Sequence, residues 1–103
     1  LREYQRMYKI CFGTLTDYLH LLEEWKQKYA PESLEDDMDE RFIEACMLIN
    51  TVEYLVDSLM YGDDDEQAEL VTTLIDDGTI ERMLARLMVA TEEEANVAEC
   101  TED

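Results

Sequence analysis

The chain has 103 residues, 47% of them apolar, with 27 acidic side chains against 8 basic ones and a formal net charge of −19. That length fits one domain with a modest core, and the apolar share excludes a disordered acidic segment. The scarcity of Lys and Arg argues against direct binding to nucleic acid, because those residues make most phosphate contacts.

The first 29 residues follow one pattern. Leu1, Tyr4, Tyr8, Cys11, Leu15, Tyr18, Leu22, Trp25 and Tyr29 are spaced in alternating steps of three and four, which predicts one long helix with a heptad seam. Met7, Phe12 and Leu19 widen the stripe enough to meet two neighbours. Pro31 ends the helix, since the residue before proline is pushed out of helical geometry.

Ser33 with Asp36 three residues on reads as a capping-box-like start for a second helix. Its inward set is Met38, Phe42, Ala45, Ile49, Val52, Val56 and Leu59, and Gly62 is its stop. Asp63, Asp64, Asp65 and Glu66 then open a short third helix carrying Leu70, Val71, Leu74 and Ile75, which Asp76, Asp77 and Gly78 break. Thr79 is read as the cap of a fourth helix with Ile80, Met83, Leu84, Leu87 and Met88 turned inward. From Thr91 the pattern fades, so residues 1–91 are read as the bundle and 92–103 as an acidic C-terminal extension. No strand pattern competes. The expected fold is all-α: a small bundle of two long and two short helices, antiparallel where connections are short, with a homodimer as a second option.

The charge is unevenly placed. Residues 1–29 hold five basic and four acidic groups, a net of +1, whereas the remainder hold three basic and 23 acidic groups, a net of −20. Solubility of a small domain needs a net charge of only about 2 to 8, and the excess costs stability through self-repulsion. An anionic face on the later helices, facing a basic partner, is the expectation. Its candidate residues are Glu35, Asp36, Asp37, Asp39, Glu40, Asp63, Asp64, Asp65, Asp76 and Asp77.

Other chemistry is weakly represented. Asp63, Asp64 and Asp65 lack the alternating spacing and central glycine of a calcium loop. Glu40 with Glu44, and Glu53 with Asp57, share helix faces without the close acid pairs of helical nucleotide pyrophosphatases. His20 has no acid or cysteine beside it to form a catalytic set. Cys11, Cys46 and Cys100 are an odd number without CxxC spacing, and read as reduced thiols of a cytosolic protein. Neither a membrane span nor a signal-peptide pattern is expected. No cofactor, metal or catalytic residue is expected.

The aromatic seam of the first helix, Tyr4, Tyr8, Leu15, Tyr18, Leu22 and Trp25, has two readings. It is either core, or a surface for a second copy or a partner helix, where Tyr and Trp bury a ring while satisfying a polar atom.

The opening stretch, with Tyr4, Gln5, Met7, Tyr8, Phe12, Thr16, Asp17, Leu19, Leu22 and Glu23, resembles small helical proteins carried by phages and mobile elements of Firmicute-type bacteria. The resemblance covers the first quarter of the chain. It implies a mobile-element origin in a bacterial host cytoplasm, where small acidic proteins similar to this one include anti-restriction and anti-CRISPR inhibitors, several of them DNA mimics. The expected function is therefore an acidic inhibitor that occupies the nucleic-acid-binding surface of a host defence or DNA-processing protein. The alternative is a structural or adaptor module pairing through the first helix.

Overall fold

The computed structural model describes residues 2–28 and 40–101, with side chains as far as Thr91. It holds four helices: α1 (Arg2–Lys28), α2 (Glu40–Tyr61), α3 (Asp64–Asp76) and α4 (Thr79–Thr101). The all-α bundle is as expected, and no strand occurs among the described residues. Tyr29, Met38 and the proposed Ser33 start lie outside the described residues.

α1 is the organising element. It packs against α2, α3 and α4, whereas among the described residues the backbones of α2 and α4 do not touch each other. The expected stripe supplies its buried face: Cys11, Leu15, Tyr18 and Leu22, joined by Thr14. Across from it, α2 buries Ala45, Ile49, Val52, Val56 and Leu59. The N-terminal turns of α1 lie against the C-terminus of α2, since the Tyr8 hydroxyl donates to the Leu59 carbonyl oxygen at 2.6 Å. At the opposite end Leu22 and Trp25 share a cleft with Ala45 and Leu48, so the pair is antiparallel. Val71 and Leu74 of α3 and Ile80 of α4 close the core.

The connections follow from local chemistry. Gly62 stops α2 by close approach rather than by left-handed geometry: a Cβ there would lie 2.5 Å from the Ser58 carbonyl oxygen, and Gly78 is the one positive-φ glycine. The Asp63 carboxylate caps α3 by accepting from the Glu66 amide at 2.8 Å, satisfying a donor that a helix start otherwise leaves orphaned. Asp76 is the last residue of α3, and Gly78 turns the chain at φ 79°.

Two local expectations are corrected. Thr79 is the first residue of α4 rather than its cap. Its amide and hydroxyl both donate to the Asp77 carboxylate, at 2.9 and 2.6 Å. Leu84 and Met88 do not turn inward; they are exposed, and α4 reaches the apolar core through Ile80, Met83 and Leu87. α4 itself crosses residue 91 without a break and continues to Thr101.

Candidate functional site: the acidic outer surface

The near-neutral helix is the central one, and the helices holding most of the negative charge pack around it. Of the expected acidic set, Glu40, Asp63, Asp64, Asp65, Asp76 and Asp77 are all exposed. Glu35, Asp36, Asp37 and Asp39 lie outside the described residues.

These six carboxylates are not equivalent. Asp63 and Asp77 serve as caps. The Asp77 carboxyl is held below the ordinary carboxylate range by its hydrogen bonds from Thr79, with a smaller contribution from the Arg82 charge. Asp64 and Asp65 lie in the first turn of α3, where the helix dipole favours an anion, but Asp76 sits at the last turn, where it opposes the dipole. α2, α3 and α4 each lack a basic residue in the last turn, whereas α1 ends on Lys26 and Lys28. The outer helices thus carry acids that favour their starts, but no cation that would favour their ends.

Helical spacing collects part of the set into a stripe. Asp65, Glu69 and Asp76 stand four and seven residues apart, on the face of α3 opposite Val71 and Leu74, and all three are exposed. Glu69 was not singled out from the sequence, because it follows the obvious acid run by three residues and carries no cap signature. Glu66 and Glu69 border a shallow groove against α2 that also contains Tyr54, Ser58, Leu70 and Thr73.

The first-helix seam is spent inside the bundle. Leu15 and Leu22 are fully buried and Tyr18 nearly so. Tyr4 and Tyr8 are partly buried against the core, and Tyr8 stacks on Phe12 with ring centroids 6.1 Å apart. Leu15, Tyr18 and Leu22 of the seam are therefore core residues. Trp25 is the exception at 45% exposure. It stands over a cleft of about 290 Å³ between α1 and α4, bordered by Leu22, Arg86 and Val89. The Arg86 guanidinium donates to the Tyr18 hydroxyl at 3.3 Å, so it serves the bundle.

Among the described residues no group of three His, Cys, Asp or Glu side chains is arranged to hold a metal ion. His20 is exposed, with Nδ1 4.0 Å from Glu23 Oε2. Cys11 is buried, and that burial raises its thiol pKa, the opposite of an activated nucleophile. Cys46 is half-buried, and the side chain of Cys100 lies outside the described residues. No helix among the described residues is long and apolar enough to cross a membrane. In comparisons with protein-family models, with curated proteins and with solved structures, the chain matches none.

Proposed function

We propose that this protein acts by binding a basic protein, and that it inhibits a nucleic-acid-binding enzyme of a bacterial host by occupying that enzyme's nucleic-acid surface. One observation carries the reading: the charge on α3. From Asp63 to Asp77 there are seven carboxylates and no Lys or Arg. At a rise of about 1.5 Å per residue this segment spans about 21 Å. Its mean spacing is then one charge per ~3 Å of helix axis, close to the ~3.4 Å of duplex axis per phosphate of one DNA strand.

Three features support the same reading. The carboxylates are exposed, Asp76 is kept although it opposes the helix dipole, and they are held on helices rather than on a tail, so a partner meets a rigid charge array. Such an array steers a basic partner by long-range attraction and competes for its phosphate sites. The resemblance of the opening stretch to phage and mobile-element proteins fits this role, with a CRISPR effector as one host target.

The test is capture from lysate of a bacterium carrying CRISPR and restriction systems, using the whole chain as bait. The expected result is a nucleic-acid-binding enzyme released by salt and displaced by duplex DNA. Recovery only of partners that resist both would contradict the proposal.

A further inference from the structure

α2 is apolar on two opposite faces. One is the buried set described above. On the other, Met47, Tyr54 and Tyr61 follow a strict seven-residue spacing, and Ile43 precedes Met47 by four. These side chains are exposed by 65%, 71%, 79% and 42%. The second heptad position continues from Ile43 through Asn50 to Asp57, so the stripe has heptad spacing, apolar at one position and increasingly polar at the other. It extends about 27 Å along the helix, five turns. Scattered surface apolar residues need no explanation, but a heptad row of two tyrosines and a methionine is an unpartnered helix face.

Charge decides what fits this face. Glu40 and Glu44 lie along one side of the stripe, Glu53 and Asp57 along the other, and Glu66 and Glu69 of α3 extend the first side beside Tyr54. α2 has one basic residue, Arg41, which lies on the half of the helix turned towards α1 and the Trp25 cleft. A second copy of this chain would bring these carboxylates against their own equivalents, at −19 per chain. A cationic amphipathic helix instead places apolar residues against Met47, Tyr54 and Tyr61 and Lys or Arg beside the acids.

We infer that the outer face of α2, with the adjoining edge of α3, is a docking seam for a Lys- or Arg-flanked amphipathic helix of the partner protein. This rests on the reading that the partner is basic, and adds that recognition is by apolar register as well as by field. Asn50 and Asp57 at the second heptad position favour a partner with a cation there, which gives the seam its selectivity.

The test uses the whole chain and three synthetic labelled 18-residue peptides, followed by fluorescence anisotropy. One peptide has Leu at heptad spacing with Lys elsewhere, the second has the same composition with the Leu positions scrambled, and the third is oligo-lysine. The heptad peptide is expected to bind at least about tenfold more tightly than either control. A Met47→Ala, Tyr54→Ala, Tyr61→Ala chain should remove that advantage while leaving the oligo-lysine affinity and the circular dichroism spectrum unchanged, since none of the three is in the core. Equal binding of all three peptides, or an advantage that survives the triple substitution, would overturn the seam; so would concentration-dependent dimerisation that the triple substitution abolishes. DNA-competed capture of an enzyme could still succeed in those cases, so failure of the seam and failure of the inhibitor reading remain distinguishable.

Discussion

The hydroxyl of Tyr8 and the side-chain amide of Gln67 both donate to one acceptor, the carbonyl oxygen of Leu59, at 2.6 and 2.8 Å. That carbonyl lies in the last turn of α2, where backbone oxygens lack an intrahelical donor. α1 and α3 supply the two donors, so the end of α2 is tied to both neighbours at a single atom. Tyr8→Phe alone leaves Gln67 in place and should cost about 1 kcal/mol, a fall in Tm of roughly 4–8 °C. Adding Gln67→Met strips the carbonyl of both donors, and the double variant should lose more than the sum of the singles. Thermal unfolding of all four chains checks this; simple additivity would show that the shared acceptor is not a coupling point.

Gly13 lies in the middle of α1, and a Cβ built there meets nothing within 4 Å. The position therefore carries the entropic cost of glycine in a helix without a packing reason for it. Gly13→Ala should stabilise the fold by about 1 kcal/mol in urea unfolding. Destabilisation would mean that this face of α1 is more closely covered than the structure shows.

The α3–α4 turn has its own pH signature. The folded-state pKa of Asp77 is depressed, so its contribution to stability is complete above the ordinary carboxylate pKa and is lost as pH falls through the lower, folded value. The stability difference between the native chain and Asp77→Asn should therefore be greatest at neutral pH and shrink below about pH 4. Chemical denaturation of both chains from pH 7 to pH 3 measures it, and a constant difference would contradict the hydrogen-bonded cap. At the same turn Gly78 holds φ 79°, where any Cβ is strained. Gly78→Ala should destabilise by about 1 kcal/mol at every pH.

The four helices were legible because their starts and stops are chemical: the acid run at Asp63, the glycines at 62 and 78, and the three–four spacing through Leu15 and Leu22. What the spacing could not tell was which surface each stripe meets. The α1 heptad is equally good as a dimer seam or a core, and the structure spends it on α2, α3 and α4. The second stripe of α2 escaped notice because Ala45, Ile49, Val52 and Val56 already account for that helix as a core element. Met47, Tyr54 and Tyr61 then look like surplus apolar residues until burial separates the two faces. Leu84 and Met88 were assigned inward for the converse reason: periodicity gives an apolar face its width, but only the neighbours decide how much of it is covered.

The carboxylates of the candidate site divide into those that accept capping hydrogen bonds and those that do not, and that division permits a direct test. Glu40→Gln, Asp64→Asn, Asp65→Asn and Asp76→Asn together remove four charges while leaving the caps Asp63 and Asp77 intact. The measurement is retention of the captured basic partner by the native chain and by this variant over a graded salt series. The account requires weaker retention by the variant at low salt and a flatter dependence on salt, because fewer charges meet the partner. Identical retention at every salt concentration, with the variant still folded, would contradict the claim that the acidic surface is what the partner binds.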